Sequence, residues 1–418
     1  MKLHLRFGMH RDVQLMHEEK DKYDGFVIPA HILAHQAAST SVFVTSLYDR
    51  PYIIDPMTFI LQNPKSAHVS DAGTIRPSVE KLFSDYHPKL IEKILTLSDD
   101  QTLSPKNYPD LGEFCQNCYN FQTKKVSTEV GETGAAKYLK RYKKTQSIMP
   151  RLVVPPYFCF ANTSTDPFYA ISLECAQIFQ TKVKNIPVAP VVLCAPAALK
   201  SNGVAKITED YAGFPTVLLW MDGFAQGQAQ VADIVLVRKL IHELTSKGVK
   251  VETLYGGYLM ATMCFDGLQA LSHGVLYTQH KSHTLSPGSG GAPERYYIPG
   301  IWEFRSMSQT DIILHQHPDL MCNCAVCAPV LAGNPDNIVK FMDNPELLRR
   351  HFLTIRRGEL DKIESSSAKN EAARFLSANR KYHEAFSALP NPDAMVSNAP
   401  IQGLDYLKNW ADGITATV

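Results

Sequence analysis

TVLLWMD (216–222), QVADIVLVRKLIHELTSKG (230–248) and VETLYGGYL (251–259) follow one another along the chain. The first and third are short apolar runs of strand length. The middle one is an amphipathic stretch of helix length that ends on Gly248, as helices often do. A strand, a helix and a strand in that order describe a parallel βαβ unit. Working outward, the same alternation gives strands at LHLRF (3–7), FVIPA (26–30), YIID (52–55), RLVVPPYF (151–158), APVVLCAP (189–196) and GVLYTQ (274–279). SLECAQIFQTKV (172–183) and DGLQALSHG (266–274) read as further helical stretches. Eight strands alternating with helices predict an α/β fold, a TIM (β/α)8-like barrel.

The 418 residues suffice for one such barrel plus a smaller appendage. The barrel is expected over 1–310, with an inserted helical region at about 61–150 that includes helices around 77–98 and 109–121. A C-terminal zinc-binding helical subdomain is expected over 311–418. PGSGGAPERYYIPG (287–300) reads as a flexible loop. No apolar run reaches the roughly 20 residues of a membrane helix, and the N-terminus has no apolar signal-peptide core. A cytoplasmic protein with no membrane partner is expected; the oligomeric state is open. Nine scattered cysteines fit a reducing compartment rather than a disulfide framework. Net charge is only +1, so any nucleic-acid footprint must be local.

Cys322, Cys324 and Cys327 place three thiols within six residues. Zinc takes four N or S ligands in a tetrahedron, so a fourth is needed. His351, inside the helical run LLRRHFLTIRR, is the best candidate, with His315 and His317 in competition. A structural Zn2+ is the expected cofactor. Cys115 and Cys118 read as core residues of a helix.

A CxCxxC group followed some two dozen residues later by a helical His resembles the structural zinc site of the tRNA-guanine transglycosylase superfamily, which is built on a TIM barrel. Ile54–Phe59 resembles that family's Asp-Ser-Gly-Gly-(aromatic)-Gln segment. Asp222–Gly227 resembles its Gly-Gly-Leu-Ala-Val-Gly pocket loop. Leu254–Tyr258 resembles Leu-Met-Gly-Val-Gly, and His273–Val275 resembles the Arg-Gly-(Val/Ile) that introduces the catalytic aspartate. The wording is nearest the DNA-acting, DpdA-like branch. Two departures matter. The nucleophile position holds Gln279, and Pro155–Phe158 lacks the family's purine-reading aspartate.

The resemblance implies an enzyme of the N-glycosidic bond. Loss of the nucleophile shifts the expectation from base exchange to hydrolysis: a DNA glycosylase that flips out and excises a modified base, leaves an abasic site and serves antiviral defence. Exchange for a 7-deazaguanine and a catalytically inactive nucleic-acid-binding subunit are the alternatives. Asp55 and Asp222 fall at strand ends and are the candidate catalytic carboxylates, each with a plain turn role as the competing reading. Tyr157, Gly223, Phe224, Gly256, Gly257, Gln279 and His280 are candidates for the base pocket, and His283 for a polar contact. Tyr52, Phe59, Tyr157, Phe224 and Tyr258 serve either as aromatic walls or as core. Lys140, Arg141, Lys143 and Lys144, with Arg349, Arg350, Arg356 and Arg357, are candidates for phosphate contact.

Overall fold

The computed structural model describes residues 1–8, 10–70, 72–108, 110–132, 149–276, 279–284, 294–393 and 401–418. Eight strands form one parallel sheet: β1 Lys2–Arg6, β2 Gly25–Pro29, β3 Tyr52–Asp55, β4 Cys159–Phe160, β5 Val191–Cys194, β6 Thr216–Met221, β7 Lys250–Thr253 and β8 Leu268–Gly274. Their order is β3-β2-β1-β8-β7-β6-β5-β4, which is the sequential order of a (β/α)8 barrel cut between its third and fourth strands. Every residue of β3, β5 and β6 is buried, as expected for strands covered on both faces.

The two ends of this curled sheet are stitched together. Arg151 N–H donates to the Tyr52 carbonyl at 2.7 Å, and Val153 bridges to Val188 ahead of β5. The Thr58 hydroxyl donates to Tyr157 O at 2.8 Å and accepts from Tyr157 N at 2.7 Å. The Gln62 amide pairs in the same way with the backbone of Cys159. Side chains that follow β3 thus replace the ladder that the short β4 does not supply. RLVVPPYF (151–158) was expected as a strand; Pro155 and Pro156 lack the N–H that a ladder needs, so regular pairing begins only at Cys159.

The expected helices at 172–183 and 230–248 correspond to Pro167–Lys182 and Val231–Ser246. The insertion holds Pro77–Tyr86, Lys89–Leu95 and Leu111–Glu132. Two expectations fail. DGLQALSHG is not helical: residues 268–274 are β8, one element earlier than GVLYTQ. Its apolar spacing mimics a helix because the strand is covered on both sides, which erases the alternation of a half-buried strand. Residues 294–300 are not loop: β9 Arg295–Ile298 pairs antiparallel with β10 Glu303–Ser306. Residues 287–293 lie outside the described residues.

The C-terminal region does not stand apart from the sheet. Buried Arg238 binds Asp266 through two nitrogens, at 2.8 and 2.9 Å, and donates to the carbonyls of Gly413 and Ala416. This fastens the last helix, Tyr406–Thr415, onto Val231–Ser246.

Thr58→Val keeps the shape of the seam but leaves Tyr157 N and O unpaired. It is expected to cost about 2–4 kcal/mol in urea unfolding, whereas Thr58→Ser costs less than about 1 kcal/mol. Equal midpoints for Thr58→Val and the parent would remove Thr58 from the closure of the sheet.

Candidate metal centre and candidate active site

Cys322, Cys324, Cys327 and His351 offer ligand atoms that all lie within 4.8 Å of one another. The three thiols come from a tight loop and the start of helix Cys327–Leu331; the imidazole comes from helix Pro345–Glu364. Backbone N–H groups of Cys324 and Cys327 point at the sulfurs of Cys322 and Cys324, each at 3.4 Å. Such donors stabilise thiolates. His351 Nε2 faces the Tyr297 carbonyl at 2.7 Å, so Nε2 carries the proton. Nδ1 then turns its lone pair to the sulfurs of Cys327 and Cys324, at 3.1 and 3.6 Å. Tyr296 stacks on the imidazole at 4.4 Å. Fixing a ligand His through its other nitrogen is what metal sites require, and the donor set fits a divalent metal. Both tyrosines belong to β9. His315 is bound to Asp336 at 2.8 Å, and His317 packs on Tyr382 and Phe386; neither joins the cluster.

The C-terminal ends of the eight strands carry the second set of residues. Asp55, at the end of β3, is fully buried. It accepts from Arg6 Nη2 at 2.7 Å, Tyr157 Oη at 2.7 Å and Met57 N at 3.0 Å. Met57 takes a left-handed conformation, φ 54°, to bring its N–H back to that carboxylate. Arg6 ends β1 and lies over the Tyr255 ring at 4.3 Å. Its Nη1 is buried and has no hydrogen-bond partner. Arg6 and Met57 line a cavity of about 320 Å³, together with His31, Tyr255, Lys281 and Arg349. Asp55 itself does not reach the cavity wall. Burial, with Arg6 adding to it, pushes the Lys281 ammonium down to about 8, against a counteracting pull from Asp55.

Asp222, just after β6, joins a different group. His283 N donates to Oδ1 at 2.7 Å, and His283 Nδ1 lies 2.9 Å from Oδ2. Burial alone would raise the Asp222 carboxyl, but these bonds outweigh it and hold the pKa below its ordinary value. Cys159 Sγ lies within 4.8 Å of the pair. Both Asp222 oxygens are already engaged by His283, so the group is complete as a hydrogen-bonded pair without an ion. Burial pushes the Cys159 thiol up to about 12, with Asp222 adding to the shift. The segment 279–284 is pinned across the sheet opening: Trp220 Nε1 donates to Lys281 O at 2.9 Å, and Asn63 Nδ2 to His283 O at 3.1 Å. Asp55 and Asp222 thus belong to separate hydrogen-bonded groups.

The remaining candidates divide. Gly256, Gly257, Phe224, Gln279 and His280 do line one cavity, but it holds about 10 Å³, roughly one water. A Cβ on Gly257 would meet Gln226 Oε1 at 2.1 Å and Gln279 Oε1 at 2.4 Å, so this glycine serves close packing. Gln279 is buried and its Nε2 is unpartnered. Gly223 is exposed with φ 66° and makes the turn after β6. Tyr157 binds Asp55 rather than facing a base, and Tyr52, Phe59 and Tyr258 are core. Arg356 cannot meet a phosphate: it is fully buried, 3.3 Å from Glu359 and beside the Tyr258, Tyr297 and Phe352 rings. Arg350 pairs with Glu18, Glu19 and Glu346, and Arg357 with Asp24 and Asp361. Of the four, only Arg349 lines the 320 Å³ cavity. Lys140, Arg141, Lys143 and Lys144 lie outside the described residues.

Arg6 and Lys281 did not enter the sequence reading. An arginine closing the apolar run LHLRF was the available signal for the first; nothing local marked the second. No protein-family model, no curated protein and no solved structure matches this chain.

The purified chain is expected to carry one equivalent of divalent metal. Cys327→Ser or His351→Ala should lose it and lower the unfolding temperature by several degrees or more; full metal content in both variants would exclude this donor set. For Lys281, the folded-state pKa is lowered, so between about 8 and the ordinary 10.5 the unfolded chain binds the extra proton. Stability of the parent should therefore rise relative to Lys281→Met across that window, by at most about 1.4 kcal/mol per pH unit, and run parallel to it below pH 8. Parallel curves throughout would show the ammonium to be unperturbed.

Proposed function

We propose that this chain is an N-glycosidic-bond enzyme of the transglycosylase superfamily, a DNA glycosylase that removes a modified nucleobase and leaves an abasic site. The observation that carries the reading is the Arg6 guanidinium at the wall of the 320 Å³ cavity. One nitrogen is fixed by Asp55 and the other is a buried donor with no partner. A buried, unsatisfied cationic donor costs stability unless a ligand completes it. The volume suits a nucleobase or a single nucleotide unit, and Arg349 gives the same wall further positive charge.

That charge fits the reaction. Breaking the C1′–N bond sends its electron pair to the departing base, and fixed cations stabilise the negative charge that develops there. The sugar becomes electron-poor and needs a nucleophile. Asp55 acts as the positioning residue for Arg6. The cavity opens at the C-terminal ends of the strands, so the nucleotide must leave the stack to enter it. In this reading the Cys3His cluster holds a structural Zn2+. It supplies no step; it fastens β9 to the helix that carries Arg349.

Incubation with DNA carrying modified bases is expected to release free base and an equal amount of alkali-labile abasic sites. Arg6→Met should lower kcat/KM at least a hundredfold. Incorporation of labelled 7-deazaguanine without abasic product would instead favour base exchange, and neither product on any modified DNA would contradict the reading.

A further inference from the structure

Resting on that reading, we propose that Lys281 is the nucleophile, and that its amine takes the sugar C1′ as a covalent Schiff-base intermediate. The geometry points to it by position. Lys281 lines the cavity beside Arg6, on the segment that follows β8. That segment is held at both ends of the lysine. The Lys281 carbonyl accepts from Trp220, Gln279 is buried, and His283 is bound to Asp222 and Asn63. Its Nζ lies over the Phe59 ring, 5.5 Å from the centroid. A lysine so fixed presents its amine to one place, which is what a near-attack geometry requires.

The other nucleophilic groups of the cavity are committed. Asp12 accepts the Gly8 N–H at 2.8 Å. His31 Nδ1 faces the Met57 sulfur at 2.9 Å. The Tyr255 phenol lies under the Arg6 guanidinium, and burial pushes its pKa well up. Outside the cavity, Asp55 is closed off by three donors, and Cys159 is held as the thiol. A lysine amine becomes nucleophilic when it is desolvated and set next to another cation. Partly buried Lys281 beside Arg6 meets both conditions.

The step balances without any oxidant or reductant. The Nζ lone pair forms a bond to C1′ as the C1′–N bond to the base breaks, and the base leaves with that pair and takes up a proton. The amine loses one proton to solvent as the C1′–O4′ bond opens, O4′ takes one up, and a C1′=N iminium that keeps the other amine proton remains. Water then adds to C1′, which releases the free amine and an abasic sugar in its aldehyde form. The net reaction is hydrolysis of the glycosidic bond. The intermediate requires a sugar whose ring can open, which an abasic deoxyribose also provides. The covalent step is therefore accessible without knowing which base is removed.

The test uses the full chain and an oligonucleotide that carries one preformed abasic site, with borohydride added to reduce an iminium to a stable amine. The expected result is a protein–DNA adduct whose cross-linked peptide contains Lys281, formed at least tenfold more slowly by Lys281→Arg. Circular dichroism and the unfolding midpoint of Lys281→Arg should match the parent. Should that variant be misfolded, the mapped peptide of the parent decides alone. An adduct on a different lysine, or equal trapping by a folded Lys281→Arg, overturns the proposal. So does base release from modified DNA with no trappable adduct, which leaves the glycosylase reading standing. An adduct on Lys281 with no base release from any modified DNA upholds the lysine and overturns the glycosylase reading.

Discussion

The buried ion pair between Arg6 and Asp55 is the constraint around which the rest is arranged. It joins the ends of β1 and β3, and through Tyr157 it reaches across the seam where the curled sheet meets itself. Two charges removed from water are costly, and such a pair is retained only when its remaining polar atoms are satisfied. Asp55 is fully satisfied, by three donors. Arg6 is not: Nη1 is buried and left over, on a residue that lines the cavity. The asymmetry separates a carboxylate whose donors are in place from a guanidinium with one donor unused.

The same pair sets the electrostatics of its surroundings. Arg6 adds to the burial that depresses the Lys281 ammonium, while Asp55 pulls the other way. The segment that carries Lys281 also carries His283, which holds Asp222 in its charged form. One short stretch after β8 thus carries both the cavity-lining amine and the imidazole bound to Asp222. The aromatic floor of Phe59, Trp220 and Tyr255, with ring centroids 4.6–4.7 Å apart, supports both. The Cys3His cluster lies at the far side of β9 and acts on this arrangement only by fixing the helix that bears Arg349.

Much of this was legible in the sequence, for reasons that can be named. Parallel strands are buried on both faces, so TVLLWM and YIID are continuous apolar runs that local reading detects. The thiol spacing 322–324–327 needs no tertiary information, and His351 was found because it sits on a regular helix. Other features depend on neighbours that sequence spacing does not reveal. Leu268–Gly274 resembles a helix until the strands on either side are known. Arg350 and Arg357 look like part of a basic track until Glu19 and Asp24 appear from distant segments, and Arg356 until its full burial is known. Asp55 and Asp222 were correctly placed at strand ends, but which carboxylate faces a cavity is decided by packing. The glycines at 256 and 257 read as a binding loop, yet they make room for Leu271, Met260, Gln226 and Gln279.

The central claim is that a nucleotide completes Arg6. The most direct measurement is a crystal structure of the Lys281→Met variant with an oligonucleotide bearing the modified base. The account predicts an unstacked nucleotide in the cavity bounded by Arg6, His31, Tyr255 and Arg349, with an acceptor atom within hydrogen-bond distance of Arg6 Nη1. A nucleotide bound elsewhere, with that nitrogen still unpartnered, would contradict it.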